Sequence, residues 1–295
     1  MNTTQNISII LPCLNEAENL ERILPTLKKK FPEIELLVID DGSTDNSSNI
    51  ASQYGAKVIK HPYNMGNGAS IKTGSRYAEG DILIFMDSDG QHNPDYIPQF
   101  LEKIHAGYDM VIGARSLSTH ASHSRKFANI AYNKLASIMT GFPIQDLTSG
   151  FRAVRADKFR RFLYLLPNGF SYPTTSTMAF LRSGFPVAYI PIEANNRKGK
   201  SKIRPLKDGS RFLIIIIKIG ALFSPMRFFL PISIFFFLVA SFYYAYTYFT
   251  AGRFTNMSAL LFITSLLTFL IGILSEQISS LHYRHSGDSQ KITKK

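Results

Sequence analysis

The stretch that decides the fold is Ile82-Leu83-Ile84-Phe85-Met86-Asp87-Ser88-Asp89-Gly90-Gln91-His92-Asn93. Five consecutive apolar residues read as a strand buried on both faces, the mark of a parallel sheet covered by helices. The run stops at Asp87 and Asp89, with Gly90 and Gln91 after them. In an open α/β sheet, ligands bind just outside the carboxyl ends of the strands, where these side chains emerge. Two carboxylates two residues apart and an amide oxygen are hard donors, suited to Mg²⁺ or Mn²⁺ shared with substrate phosphates. A lone Asp-x-Asp is more often a polar turn, so the reading depends on what surrounds it.

On the amino-terminal side, residues 7–12 read as a first strand ending in Cys13-Leu14-Asn15-Glu16. A helix follows from Ala17 to about Lys30, with Leu20, Ile23, Leu24 and Leu27 at helical spacing and Pro25 as a break or kink. Residues 35–39 form a second strand ending in Asp40-Asp41-Gly42-Ser43-Thr44-Asp45, where Asp45 suits a cap for the helix 46–54. Val58-Ile59 is a short strand, and the loop 64–68 leads into a helix through Tyr77. Beyond the opening stretch, Pro94 starts a helix to about His105, and Met110–Gly113 is a strand ending at Arg115. This alternation argues a mostly parallel, Rossmann-like α/β sheet with helices on both faces. Acids close three of its strands at one edge, which is a site signal.

Residues 116–210 are less regular. His120 and His123 sit three apart, but without further ligands they read as solvated loop histidines. Residues 125–140 read as a helix, followed by the loop Gln145–Arg152, and 185–192 as another strand. Residues 197–204 hold five cations (Arg197, Lys198, Lys200, Lys202 and Arg204), a grip for a phosphate or lipid headgroup.

The 295 residues carry a net charge of +12, 13% aromatics, no Trp and one cysteine, Cys13. A single cysteine excludes an intrachain disulfide and fits a reducing compartment. The first apolar run is too short for a signal peptide. Basicity alone fits nucleic acid, anionic membrane or anionic substrate. Its distribution decides for the membrane, and no nucleic-acid partner is expected. Residues 211–227 are apolar but interrupted by Lys218 and Pro225, reading as an interfacial helix. Phe228–Phe249 is uncharged over 22 residues, about 33 Å as a helix. A second uncharged run, Met257–Leu274, follows a short loop, so residues 228–275 form a transmembrane hairpin. The loop has one cation, Arg253, and the tail 276–295 has Arg284, Lys291, Lys294 and Lys295. Both ends are therefore expected in the cytoplasm, around a catalytic domain of residues 1–210. Monomer and homo-oligomer read alike.

Competing motifs fail. Gly66–Thr73 has Ile71 where a P-loop needs Gly, no Gly-x-Gly-x-x-Gly follows the first strand, and no nucleophile elbow appears. Arg115, Arg197 and Lys202 are candidates for stabilising a leaving diphosphate or gripping an acceptor. Asp146 is the candidate general base.

In order, Pro12-Cys13-Leu14-Asn15-Glu16, Val38–Asp45, Asp87–His92 and Ser149-Gly150-Phe151-Arg152 resemble the motifs of family 2 glycosyltransferases, which share the GT-A fold. Gln91-His92, the loop Gly199-Lys200-Ser201-Lys202 and the hairpin resemble the dolichyl- and polyprenyl-phosphate sugar (mannosyl or glucosyl) transferases. The resemblance implies inverting transfer from a nucleotide-diphosphate sugar to a polyprenyl phosphate, with Mg²⁺ or Mn²⁺. It implies that Pro12, Leu14, Glu16, Ile39, Asp41, Ser88 and Arg115 bind the nucleotide sugar, and that Asp87, Asp89 and Gln91 hold the metal. It further implies that Arg125, Arg197, Ser201 and Lys202 meet the acceptor phosphate. One departure is Asn196, where relatives often carry Arg. Two other readings stand beside it: a glycan or lipid hydroxyl as acceptor, or a non-catalytic accessory protein of the same fold. A phosphate monoester is already a nucleophile at neutral pH, whereas a hydroxyl needs a base.

Overall fold

The computed structural model describes residues 6–115, 123–169, 171–193 and 225–288, with Ile214 and Ile217; for 123–128 and 280–288 it describes the backbone alone. The chain forms two compact units, residues 1–134 with 143–215 and residues 135–142 with 216–295.

In the first unit, seven strands make one sheet: β1 (Ile7–Cys13), β2 (Glu35–Asp40), β3 (Lys57–Lys60), β4 (Ile82–Phe85), β5 (Met110–Arg115), β6 (Arg152–Arg155) and β7 (Val187–Ile192). Their order is β3-β2-β1-β4-β6-β5-β7, and only β6 runs antiparallel to its neighbours. All four residues of β4 are fully buried, as the uninterrupted apolar run requires. The register Cys13↔Asp40 and Ile10↔Phe85 brings the ends of β1, β2 and β4 to one edge.

Helix α1 (Ala17–Lys30) runs continuously through Pro25. A mid-helix proline costs about 3 kcal/mol. Leu20, Ile23, Leu24 and Leu27 are all buried, and each gains about 1.5–3 kcal/mol on full burial, so packing wins. Helices α2 (Ser47–Gln53), α3 (Asn67–Tyr77) and α4 (Ile97–His105) connect the following strands. A Cβ at Gly74 of α3 would collide with Ile10, so α3 lies close against the sheet. After α5 (His123–Thr140), β6 enters between β4 and β5 and is followed by α6 (Ala156–Arg160) and α7 (Tyr172–Arg182). The loop expected up to Arg152 therefore ends in a strand. Arg-Ala-Val-Arg has no pattern of its own; pairing on both sides, Phe85↔Arg152 and Ile112↔Arg152, makes it a strand.

In the second unit, α8 (Pro225–Ala251) and α9 (Asn256–Asp288) form an antiparallel hairpin, with spans Pro225–Ala251 and Asn256–Ser279 long and apolar enough to cross a membrane. Their seam repeats every seven residues in small residues: Ser233, Ala240 and Thr247 on α8, Ser258, Ser265, Gly272 and Ser279 on α9, all buried. Ser233 Oγ donates to the Ser265 carbonyl and Ser265 Oγ to the Ser233 carbonyl, both at 2.9 Å. Small residues and reciprocal hydroxyl bonds are how helices associate where no hydrophobic force acts between them. The outer faces carry Phe235, Phe242 and Phe249 in full exposure to their surroundings, as lipid-facing side chains require.

The basic loop 197–204 and most of the expected interfacial helix 211–227 lie outside the described residues.

Candidate active site

The carboxyl edge of the sheet is built by loops that cap one another. Asn15, directly after β1, takes a left-handed conformation (φ 56°), which asparagine tolerates better than most residues. Its N–H donates to Ser43 Oγ at 2.9 Å, and its Oδ1 accepts the Thr44 N–H at 2.8 Å. The Glu16 N–H donates to Ser47 Oγ at 3.1 Å and the Ala17 N–H to Asp45 Oδ2 at 3.2 Å. The loop after β2 thus caps α1 as well as α2, where Asp45 Oδ1 accepts the Ser47 N–H at 3.0 Å. Ser88 ties β4 to β1 by donating its hydroxyl to the Pro12 carbonyl at 2.7 Å.

Asp40 and Asp41 are both buried. Asp40 accepts the Ser43 N–H at 2.7 Å and the Ser48 hydroxyl. Burial alone would push the Asp40 carboxyl up, but these bonds outweigh it and hold it below the usual range. Asp41 accepts the N–H groups of Met65 and Gly66 at 2.9 and 2.8 Å, and its Oδ1 meets His61 Nδ1 at 2.7 Å. The Gly68 and Ala69 N–H groups donate to the carbonyls of Gly169 and Asn168, each at 3.1 Å. The amides at the start of α3 are therefore occupied, and this turn is no phosphate cradle.

Asp87, Asp89 and Gln91 are half-buried at the end of β4. Asp89 Oδ1 accepts the Gln91 N–H at 3.1 Å, folding the three donors into one turn. A Cβ on Gly150 would stand 2.8 Å from Asp87 Oδ2, so the loop before β6 approaches that carboxylate as only glycine permits. His92 is buried with its ring stacked on Phe151, centroids 4.9 Å apart. Its Nδ1 accepts the Asp87 N–H at 3.1 Å, which leaves the ring proton on Nε2, 3.9 Å from Asp87 Oδ2. Burial pushes the imidazole down to about 4, so the ring is neutral.

Arg115, at the end of β5, forms a fork with Asp146: Nε to Oδ2 at 2.8 Å and Nη2 to Oδ1 at 3.1 Å, with a third bond to Thr148 Oγ1 at 2.7 Å. Asp146 also accepts the backbone N–H groups of Arg115, Thr148 and Ser149. Burial would raise this carboxyl, yet the Arg115 bonds and charge hold it below the usual range. Both oxygens are committed, which is the wrong state for a general base. Arg152 is fully buried and holds the loop by donating to the Ser149 carbonyl, and to the Pro173 carbonyl at 3.1 Å.

Among the sequence-derived candidates, Leu14, Glu16, Asp41, Asp87, Ser88, Asp89, Gln91 and Asp146 thus lie on loops at one edge, Pro12 and Arg115 lie at the ends of β1 and β5 there, and Ile39 is buried within β2. The side chain of Arg125, and Arg197, Ser201 and Lys202, lie outside the described residues. From the sequence, Asp45 is expected only as a cap for α2, Asn15 and His92 stand only within motifs, and Ser47 carries no expectation. Their only signal is position, within a residue or two of strand ends, in residue types that bond loop backbone.

Residues 8–163 match the family model Glycosyl transferase family 2. The chain belongs to that family. Residues 224–281 match the GtrB C-terminal hairpin. As a family 2 glycosyltransferase, the chain is an enzyme whose relatives act on lipid phosphates. It is 32% identical to the undecaprenyl-phosphate mannosyltransferase of Micrococcus luteus, over 66% of this chain and 86% of that one. It is 27% identical to the polyprenol monophosphomannose synthase of Mycolicibacterium smegmatis, over 68% of this transferase's length and 82% of the relative's. With the dolichyl-phosphate hexose transferase of Haloferax volcanii it shares 26% identity over 74% and 95% of the two chains. The glucosyl-3-phosphoglycerate synthase of Mycobacterium tuberculosis, solved with Mn²⁺ and UDP-glucose, shares the transferase's fold at TM-score 0.60 and 21% identity, over 74% and 79% of the two chains.

Proposed function

We propose that this transferase moves a sugar from a nucleotide-diphosphate donor to a polyprenyl phosphate, aided by a divalent cation, Mg²⁺ or Mn²⁺. The observation that carries the choice of acceptor is the state of Asp146. The carboxylate best placed to act as a base is committed to Arg115, and His92 has its Nδ1 occupied and its ring neutral. An acceptor that brings its own charge suits such a site. A phosphate monoester, with its second pKa near about 6, does so at neutral pH.

The donor set fits a shared cation. Among the described residues no three His, Cys, Asp or Glu cluster as a closed metal site. Two carboxylates and an amide folded into one turn suit a hard cation completed by diphosphate oxygens and water. Bound there, the cation would supply charge neutralisation for the leaving diphosphate. Asp87, Asp89 and Gln91 hold it. Arg115, aimed by Asp146, meets phosphate oxygen with a guanidinium that is already oriented. Glu16, Leu14, Asp41 and Ser88 line the nucleotide end, where the loop amides fix their positions.

Support for a lipid acceptor comes from the hairpin and from the names of the relatives. Arg125, Arg197, Ser201 and Lys202 are the proposed grip on its phosphate. Lys and Arg concentrate at the hairpin's outer ends, against the single Arg253 in its loop, so both termini and the catalytic unit belong on the cytoplasmic side.

The test is to incubate the purified protein with a panel of nucleotide sugars, Mn²⁺ and an undecaprenyl phosphate. The expected product is a glycosyl phosphodiester labile to mild acid. An acid-stable glycoside would transfer the reading to a hydroxyl acceptor, and nucleotide binding without product to an accessory role.

A further inference from the structure

A chain needs glycine where φ is positive or where no side chain has space. Gly150 is of the second kind. It does not take a positive φ, and its missing Cβ would stand 2.8 Å from Asp87 Oδ2 and 3.3 Å from Oδ1. An alanine there would force either the turn or the carboxylate to move.

The turn is the partner that cannot yield. The Thr148 and Ser149 N–H groups donate to Asp146 Oδ1 at 3.0 and 3.1 Å. The Ser149 carbonyl accepts from Arg152 Nη2, and the Gly150 carbonyl accepts from the Tyr172 hydroxyl at 3.2 Å. The Phe151 carbonyl accepts the Gly113 N–H at 3.0 Å, and the fully buried Phe151 ring packs on those of His92 and Phe100. Every residue from 148 to 151 is thus tied through its backbone.

Two of these ties lead to one helix, α7. Tyr172 is its first residue and is buried. Burial pushes the phenol well above its usual range, so it keeps its proton and donates. Arg152 Nη1 donates to the Pro173 carbonyl and to the Ser176 and Thr177 hydroxyls at 3.1, 2.9 and 3.1 Å, all in the first turns of the same helix. Asp87 is also held from elsewhere. Its N–H donates to His92 Nδ1, and His92 Nε2 stands 3.9 Å from the same Oδ2 that faces Gly150.

We propose that Gly150 sets the position of the Asp87 carboxylate, and with it the affinity for the divalent cation, and that Tyr172 is the positioning residue that keeps Gly150 in place. It rests on reading Asp87, Asp89 and Gln91 as the cation's donors. Groups that touch the ligands rather than the metal change affinity by about 10–100-fold, because they fix where the ligand atoms stand before the cation arrives. Helix α7, which brings no candidate ligand of its own, thereby controls how tightly the site holds its metal.

The test counts bound Mn²⁺ directly. Mn²⁺ is titrated into detergent-solubilised full-length protein and the free ion is read by its paramagnetic resonance signal. Wild type, Gly150→Ala, Tyr172→Phe and the double variant are compared, with Asp89→Asn defining binding elsewhere on the protein. Gly150→Ala is expected to raise the Kd for Mn²⁺ by about tenfold, with a thermal midpoint within about 2 °C of wild type. Tyr172→Phe should raise it by about fivefold, the worth of one hydrogen bond. Because Tyr172 acts through Gly150, the double variant should lose less than the product of the two. In turnover, both single variants should need more Mn²⁺ for half activity yet keep kcat at saturating Mn²⁺. Wild-type affinity in Gly150→Ala overturns the proposal. So does a midpoint many degrees lower, since the glycine then serves the fold. A fall in kcat at unchanged Mn²⁺ affinity overturns it as well. A fully multiplicative loss in the double variant removes Tyr172 from the role. If wild type and Asp89→Asn bind Mn²⁺ alike, the metal reading fails first, and the role of Gly150 falls with it.

Discussion

At the amino edge of the sheet, Asp81, Asp109, Arg155, Asp157, Lys158 and Arg160 line a cleft of about 480 Å³. At the carboxyl edge, a similar mixture of aspartates and arginines makes the candidate active site. The two edges differ in what the charges do. At the amino edge Arg155 pairs with Asp109 at 3.3 Å and donates to the Ile104 carbonyl at 3.0 Å. Arg160 donates to the carbonyls of Ser75 and Ala78 at 2.8 and 2.6 Å. Those carbonyls belong to the ends of α3 and α4, where cations complement the helix dipole. At the carboxyl edge the acids accept amides from strand ends and helix starts: Asp45 at α1 and α2, Asp41 before α3, Asp146 before β6. In a sheet whose strands run mostly parallel and whose helices return antiparallel, one edge collects carbonyls and the other collects amides. Only the second predisposes to binding an anion and its cation.

That contrast can be broken by mutation. The largest effect belongs to Asp89→Asn, expected to lower turnover by about three orders of magnitude while the thermal midpoint holds. Near wild-type turnover would remove Asp89 from the metal site. Asp146→Asn comes next. It leaves the Arg115 guanidinium, 28% exposed, without its carboxylate, at a cost of about 3 kcal/mol in stability and a marked loss of turnover. Because the folded Asp146 carboxyl is held below its unfolded value, its contribution is complete above about pH 4 and disappears as pH falls through the folded value. The stability gap between wild type and variant, followed by denaturant titration, should therefore close in acid. The residual turnover of the variant should keep the wild-type pH profile; loss of the acidic limb, where rate falls as a base is protonated, would restore Asp146 as a base. The smallest effect is expected for Arg155→Ala at the amino edge: about 1 kcal/mol of stability and no change in turnover. A variant that stays folded but turns over slowly would make the amino-edge cleft part of the enzyme.

Much of the carboxyl edge was legible because its residues obey local rules. The buried run 82–86 predicts a central strand, and the acids after it need no partner from elsewhere to be recognised as donors. The two membrane helices were legible for the same reason, as each is a continuous apolar run. β6 was not legible, since four residues flanked by arginines become a strand only when β4 and β5 stand on either side. The roles of Asp146 and His92 were hidden for a related reason. A carboxylate three residues before Ser149-Gly150 in no way announces that an arginine 31 positions earlier will occupy it.

The sequence by itself determined every strand of the sheet except β6, which residues carry charge to the sheet edge, and that the chain continues into an apolar hairpin. Those properties follow from periodicity and composition, which act within a few residues of themselves. Tertiary structure alone decided what surrounds each charged group. Asp40, Asp41 and Asp146 are committed to amides and to Arg115, His92 is held neutral against Phe151, and the loop at Gly150 packs close against Asp87. Whether a carboxylate is ligand, base or brace depends on which donors the fold brings within 3 Å or so of it. That distance is set by residues far apart in the chain.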